Sequence, residues 1–250
     1  MLNKLHKTIT FTHHLESPEA IREQALLQDR KDHLDVLRLW QSERLAATYA
    51  DLLANPRYTR ACRFFLDDVY AAKDFRQRDE EIRQLYEIIS HFLPDILLKL
   101  VNTVIKLNDL TQALDEKLWS VMQNELGVTD TITMDLYLAG YRLCDNYAER
   151  AYQIELIEQV GHMVDLTTKI PMIATTLKMV RLPVTRAGWG DLHDWINRGF
   201  IAFKHMHGAK EFLATIHDRE MSFLASAIPS TSLKSGLYRL TFSVTRYTIH

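Results

Sequence analysis

Carboxylate and imidazole side chains recur at helical spacing in the second half of the sequence. Glu158 and His162 are four residues apart, so on an α-helix both side chains can reach one ion, and Glu155 and Asp165 lie about one turn to either side. His217, on a later predicted helix, is a further candidate ligand. Carboxylates with one or two imidazoles favour iron or manganese in a helical bundle. The pattern therefore indicates a metal site, although a charged face is also typical of a helix exposed to water.

Other polar residues fall on or beside the apolar stripes when the predicted helices are projected at about 100° per residue. These residues are Arg44, Asp68, Asn108, Asp115 and Glu220. An unpaired buried charge is very costly, so an inward Arg44 needs an acidic partner, and we expect that partner to be Asp68. The adjacent Asp67 projects towards water. The set is either a hydrogen-bond network that fixes how the helices pack or the lining of a ligand pocket.

Helical periodicity dominates from about residue 18 to about residue 227, and both glycine (8) and proline (6) are scarce. The pattern predicts helices at 18–53, 57–70, after residue 79, from Pro94 to 125–127, at 133–169, from Pro171, and on either side of Gly208, with a loop at 181–190. We therefore predict an all-α, multi-helix bundle of about seven to nine helices in one domain, 17–228. Residues 1–16 form an N-terminal arm and residues 229–250 a C-terminal tail, each of them β-like or disordered.

The predicted helix at 133–169 changes character along its length. One face carries Tyr137 and Tyr141 in the first half and Glu155 and Glu158 in the second half. Three explanations are open: a break near residue 152, a passage between two packing environments, or an acidic face that lines an interior cavity.

Composition argues against several classes of protein. The net charge of -2 gives no electrostatic reason to expect a nucleic-acid partner. The most apolar run, at 96–107, is interrupted by Lys99, Asn102 and Lys106, so we expect no membrane span. Two cysteines make no metal motif and no disulfide framework, and the sequence shows no signal peptide, so we expect a cytoplasmic protein. Phosphate-loop, dinucleotide and nucleophile motifs are also absent from the sequence.

Three blocks of sequence resemble a bacterial family of uncharacterised cytoplasmic helical proteins. The blocks are "QSERLAATYADLLANPRY" (41–58), "RFFLDDVYAAKDF" (63–75) and "INRGFIAFKHMHGAKEFLATIHDRE" (196–220). Ala71 stands where the family pattern has glycine. The resemblance implies an all-α fold and implies no particular activity.

Three hypotheses for the function follow, and whether the chain is an enzyme is left open. The preferred one is a non-catalytic protein that binds a partner protein or a small ligand between its helices. The second is a metal-dependent oxidase or oxygenase of the helical di-iron type. The third is an assembly protein whose β-like tails pair between subunits, and homo-oligomer formation is likewise left open.

Overall fold

The computed structural model describes residues 34–69, 95–186, 188 and 190–228. The helices are α1 (34–48), α2 (Ala50–Ala54), α3 (Thr59–Arg63), α4 (Asp95–Asn124), α5 (Met134–Cys144), α6 (Tyr147–Thr168), α7 (Pro171–Arg186), α8 (Gly190–His205) and α9 (Lys210–Ala227). A π-helical segment, Phe64–Val69, continues α3. These described ranges contain no strand, and the prediction of an all-α multi-helix bundle is confirmed.

Local sequence explains where α4 ends and where α5 begins. Gly127 has φ 66°, which glycine adopts without a steric penalty, and the N–H of Val128 donates to the carbonyl of Met122 at 2.9 Å. The hydroxyl of Thr133 accepts from the N–H of Leu136 at 3.3 Å and so caps α5. The sequence predicted both positions.

The single predicted helix at 133–169 is wrong, because the chain breaks between α5 and α6. Asp145 is left-handed, with φ 48°, and its N–H donates to the carbonyl of Tyr141 at 3.2 Å. Aspartate tolerates this conformation better than most residues. The helix then restarts at Tyr147 and passes through residue 152 without interruption, so each helix sets its own buried face.

The predicted loop at 181–190 is wrong over its first part, because α7 continues to Arg186. Ile173, Leu177, Val180 and Val184 are all half-buried on the side of α7 that packs against α8. This packing continues the helix past the proline at position 183.

Helix α6 lies at the centre of the described part of the chain, where it packs against α4, α7, α8 and α9. Two groups of buried apolar side chains lie around it. The first core contains Leu37, Leu118, Met122, Tyr137, Ile154 and Leu224. The second core contains Leu45, Leu52, Cys62, Phe203, Phe212 and Leu213.

Several predictions lie outside the described residues. They are the N-terminal arm (1–16), the start of the first helix, the helix after residue 79 and the C-terminal tail (229–250). In the part of the chain that is described, no helix combines the length and the apolar character that a transmembrane span requires.

Candidate functional site

A cavity of about 100 Å³ lies where the two cores meet. Its walls come from α1, α3, the π-helical segment, α4, α5, α6 and α9. The polar residues of its wall, called the polar cluster below, are Gln41, Arg44, Tyr49, Thr111, Asp115, Tyr137, Tyr141, Arg150, Gln153 and Glu220. The cavity therefore combines apolar walls with an unusual concentration of buried polar groups.

Arg44 of α1 and Glu220 of α9 form the first ion pair of the polar cluster. The Arg44 Nη1 and Nη2 atoms donate to the two Glu220 carboxylate oxygens at 3.3 and 2.7 Å. Tyr49 also donates to Glu220, at 2.7 Å, and the Arg44 guanidinium lies 4.4 Å from the centre of the Phe223 ring. Burial by itself lowers the pKa of Arg44, but the charge and hydrogen bonds of Glu220 outweigh it and raise that pKa, so Arg44 stays charged.

Arg150 of α6 and Asp115 of α4 form the second ion pair. Their closest atoms are 3.5 Å apart, and Arg150 Nη2 donates to the carbonyl of Leu114 at 2.9 Å. Gln41 donates both to Asp115 and to the Tyr137 hydroxyl, each at 3.2 Å. Burial lowers the pKa of Arg150, but the neighbouring tyrosines and Asp115 raise it above its ordinary value. These contacts tie α1, α4, α5 and α6 together.

Each arginine of the polar cluster keeps one N–H group without an acceptor among the described residues. These groups are the Nε atoms of Arg44 and Arg150, and both are shielded from solvent. Burial raises the pKa of Tyr137 well above its usual value, so its phenol stays protonated. The cluster thus holds two guanidinium groups, two carboxylates and two unused donors.

The block "FFLDDV" forms the π-helical segment, a feature that is frequent at functional sites. Phe65 and Leu66 lie in the cavity wall. On another side of the segment the Phe64 ring lies against Gly199, where a Cβ would come within 2.8 Å of the ring. The π-helical segment therefore contacts both α8 and the cavity, and it fixes the position of α8 relative to the cavity wall.

The expected pairing of Arg44 with Asp68 is wrong. Asp68 accepts from the Nε and Nη2 atoms of Arg198 at 2.7–3.2 Å, whereas Arg44 binds Glu220. The π-helical turn carries Asp68 towards α8, away from α1. Asp68 is half-buried and Asp67 is exposed, and neither Asp68 nor Asn108 lines the cavity.

The residues predicted as metal ligands are only partly brought together. Glu158 lies 3.5 Å from His162 and 3.9 Å from His217, and Glu155 is exposed on another part of α6. No group of three or more His, Cys, Asp or Glu side chains in the described ranges has an arrangement that could hold a metal ion. The metal hypothesis, with iron or manganese, stays a prediction.

Asp165 has a structural partner on each carboxylate oxygen. Oδ2 accepts from Lys169 at 2.7 Å, and Oδ1 accepts from the backbone N–H of Ala209 at 3.2 Å. Ala209 is the N-cap residue of α9, where a negative charge stabilises the helix. Asp165 therefore fixes the start of α9 against α6.

Arg150 and Gln153 line the cavity but were not predicted from the sequence. A signal for Arg150 was present, because it lies between Tyr147 and Ile154 on the buried face of α6. The signal was hidden by the assumption that one helix runs from 133 to 169, which extended the inward face of α5 to Glu155 and Glu158. The α6 residues in the cavity wall are Arg150, Gln153, Ile154 and Ile157, and the expected acidic face is not among them.

Fold and site together define an all-α bundle with a polar cavity between two apolar cores. The chain belongs to the family described as a domain of unknown function, DUF8198, whose family model matches residues 20–232. No curated protein matches the chain, and no solved structure matches it.

Proposed function

We propose that the chain is a non-catalytic binding protein that holds a small molecule in the cavity between its two cores. The observation that carries the proposal is the cavity of about 100 Å³, whose wall combines apolar side chains with two buried ion pairs. Small-molecule sites are typically concave and mostly apolar, with a few polar groups held in fixed positions. The two ion pairs supply such fixed polar groups in this cavity.

The size of the cavity supports an organic occupant as well as water. A water molecule takes about 30 Å³ of liquid volume, and a dry engineered cavity of about 150 Å³ binds benzene. A cavity of about 100 Å³ lies between these limits. Its apolar walls favour a ligand with a hydrocarbon part over a small group of waters.

Thermal unfolding with and without small molecules tests the proposal. The probes are aliphatic amides, ketones, carboxylates and amines of four to six carbon atoms. We expect at least one of them to raise the Tm of the wild-type protein, because a ligand that binds only the folded state stabilises it. We expect no such rise in Ile154→Phe or Leu66→Phe, which fill the cavity from α6 and from the π-helical segment. Equal shifts in the wild type and in a folded filling variant, or no shift with any probe, would contradict the proposal.

The exposed side of α7 supports a second binding function, for a partner protein. Met172, Met179 and Leu182 are 75%, 74% and 59% exposed, and helical spacing places them within an arc of about 80°. The helix also carries Lys178, Arg181 and Arg186 and no acidic residue. Methionine-rich faces suit adaptable protein contacts. The charge favours an acidic amphipathic helix, since a symmetric dimer through this face would bring like charges together.

A pair of synthetic helical peptides tests this second function. Both carry leucines on one face, and their flanking positions are glutamate in one and lysine in the other. We expect the glutamate peptide alone to bind in fluorescence anisotropy, and Met179→Glu to abolish that binding. Met134→Glu, at an exposed methionine of α5, is the control and should bind normally. Equal binding of both peptides, or a dimer that Met179→Glu dissociates, would count against an acidic partner.

The cellular location of the protein, its origin and its self-association are proposals as well. We infer a cytoplasmic location from the two unpaired cysteines, and a bacterial origin from the resemblance described above. Self-association through the terminal segments is a further alternative, which sedimentation of the full chain at several concentrations would test.

A further inference from the structure

Asp115 carries one carboxylate oxygen that the described part of the protein leaves without a hydrogen bond. Its Oδ1 atom accepts from Gln41 at 3.2 Å and from Arg150 at 3.5 Å, whereas Oδ2 accepts from no group in the described ranges. The side chain is only 4% exposed, and Oδ2 is not among the unpartnered atoms that are shielded from solvent. Oδ2 therefore borders the cavity that Asp115 lines, where a bound molecule can reach it.

Gln41 offers a second acceptor to the cavity. A carboxylate only accepts, so the amide nitrogen of Gln41 faces Asp115, and its two hydrogens go to Asp115 and to the Tyr137 hydroxyl. The remaining atom, Gln41 Oε1, has no donor among the described residues and is likewise not shielded from solvent. Two unused acceptors on residues that bond to each other favour a ligand with N–H or O–H donors.

The phenols of Tyr137 and Tyr141 supply one hydrogen for an acceptor on the ligand. Their hydroxyl oxygens are 3.1 Å apart and share one hydrogen bond, and Tyr137 also accepts from Gln41. Two hydroxyl hydrogens therefore have one acceptor between them in the described ranges, and one hydrogen is left over. Tyr141 is the less deeply buried of the two and lines the cavity, so the free hydrogen belongs to its hydroxyl.

The charges of the polar cluster are balanced, which disfavours an ionic ligand. Arg44 pairs with Glu220. Arg150 pairs with Asp115. A charged ligand would be buried without a counterion, which is costly away from water. A carboxylate would also place its oxygens against the unused acceptors of Asp115 and Gln41, so a neutral ligand is favoured.

We infer, on the basis of the proposed function, that the ligand is a small neutral primary amide with a short aliphatic body. Its amide hydrogens donate to Asp115 Oδ2 and Gln41 Oε1, and its carbonyl oxygen accepts from the Tyr141 hydroxyl. Its hydrocarbon part contacts apolar side chains of the wall such as Leu45 and Phe212. The cavity of about 100 Å³ is smaller than the 150 Å³ that accommodates benzene, which limits the ligand to about six non-hydrogen atoms. Both ion pairs stay closed on binding.

A series of compounds with one carbon frame tests the inference. Isobutyramide is the neutral amide, and methyl isopropyl ketone replaces its NH₂ group by a methyl group of similar size. Isobutyrate is the corresponding anion and isobutyramidinium the corresponding cation. We expect isobutyramide to bind the full-length protein with a Kd on the order of tenfold lower than any of the other three, measured by NMR titration.

The alternative outcomes separate the inference from the proposed function. Equal or tighter binding of methyl isopropyl ketone would overturn the role of the two acceptors while leaving a ligand site in place. Equal or tighter binding of isobutyrate or isobutyramidinium would overturn the neutral class, again with a ligand site in place. Binding of none of the four compounds would overturn both the inference and the cavity as a ligand site.

Two variants test the contacts separately. Gln41→Met removes an acceptor at nearly constant size and should weaken isobutyramide binding by about 2- to 10-fold, with little effect on methyl isopropyl ketone. Tyr141→Phe removes only a hydroxyl and should weaken both compounds, since both have a carbonyl oxygen. Tyr152→Phe removes a hydroxyl on the exposed side of α6, outside the cavity, and should leave both affinities unchanged. Unchanged isobutyramide binding in Gln41→Met and Tyr141→Phe, with folding verified by circular dichroism, would overturn the inference.

Discussion

The Arg150–Asp115 pair in the interior and the Arg219–Asp51 pair at the surface contain the same chemical groups in different surroundings. The surface pair has the better geometry, with two hydrogen bonds of 2.7 Å against a closest approach of 3.5 Å inside. The interior side chains are only 5% and 4% exposed, whereas the side chains of the surface pair are 35% and 60% exposed.

Burial matters more than distance for what an ion pair contributes to the stability of the protein. At the surface, water replaces a lost partner, so removing one member changes little. In the interior no water replaces it, and the remaining charge is stranded. Both interior pairs, Arg150–Asp115 and Arg44–Glu220, line the cavity.

The largest effect is expected from Arg150→Met. The change leaves Asp115 buried without its cation, so the free energy of unfolding should fall by about 3–5 kcal/mol in urea denaturation. The double variant Arg150→Met, Asp115→Leu removes both charges and should recover most of the loss. If the double variant is as unstable as the single one, the loss came from packing, and the interior pair is not the cause.

Arg44→Met should have the next largest effect, about 2–3 kcal/mol in the same measurement. The loss is smaller because Glu220 keeps the hydrogen bond from Tyr49. Adding Tyr49→Phe to Arg44→Met should cost more than the sum of the two single changes, since Glu220 then loses both donors. Additive costs would show that Glu220 finds a replacement donor, such as water.

At alkaline pH the free energy of unfolding should fall more steeply with pH in the wild type than in Cys62→Ala. Burial raises the pKa of the Cys62 thiol from 9.0 to about 11. Because the pKa is higher in the folded state, this stabilisation is complete below pH 9 and is lost as the pH rises towards 11. Between these pH values the wild type should lose about 1–3 kcal/mol more than Cys62→Ala, measured as the change in unfolding free energy with pH. Parallel profiles would show that water reaches the thiol.

Arg198→Met removes the partner of Asp68 on a more exposed part of the molecule. Arg198 is 53% exposed, so the free energy of unfolding should fall by less than about 1 kcal/mol despite three close hydrogen-bond contacts. A loss as large as that for Arg150→Met would contradict the ranking by burial.

The smallest effect is expected at Asp51, where the observable is a pKa and not a loss of stability. The hydrogen bond from Arg219 lowers the pKa of Asp51 from 3.8 to about 2. Its stabilisation is therefore present above pH 3.8 and is lost as the pH falls through 2. Arg219→Met should return the pKa towards its ordinary value, which NMR titration of the carboxyl carbon would measure. A pKa that stays near 2 in the variant would assign the shift to the backbone of α2.

The fold could be predicted from the sequence at positions where local chemistry determines the backbone conformation. Gly127 marked the end of α4 and Thr133 the start of α5, because a left-handed turn and a cap require particular residues. The break at Asp145 was missed, because aspartate is only one of several residues that tolerate that conformation. The error then propagated, since the inward face of α5 was extended through the break to Glu155 and Glu158 of α6.

The candidate site could be predicted only in part, because helical periodicity does not show which residues of different helices form partners. Projection turned Arg44, Asp115 and Glu220 inward, and all three line the cavity. It could not decide between Asp68 and Glu220 as the partner of Arg44, since that choice depends on the π-helical turn and on how α9 crosses α1. Arg150 lies between the apolar residues Tyr147 and Ile154, but periodicity alone does not show that a charged residue at this position is buried.

The most direct test of the central claim, that the cavity binds a small ligand, uses the two cysteines of the chain. Both are buried and unpaired, but Cys62 lines the cavity, whereas Cys144 lies in the first core away from it. The measurement is the rate at which methyl methanethiosulfonate labels each thiol, with and without isobutyramide, followed by mass spectrometry. A ligand in the cavity should slow labelling of Cys62 several-fold more than labelling of Cys144, because global stabilisation slows both thiols while occupancy protects only Cys62. An unchanged ratio of the two rates up to saturating isobutyramide, isobutyrate and isobutyramidinium would contradict the claim.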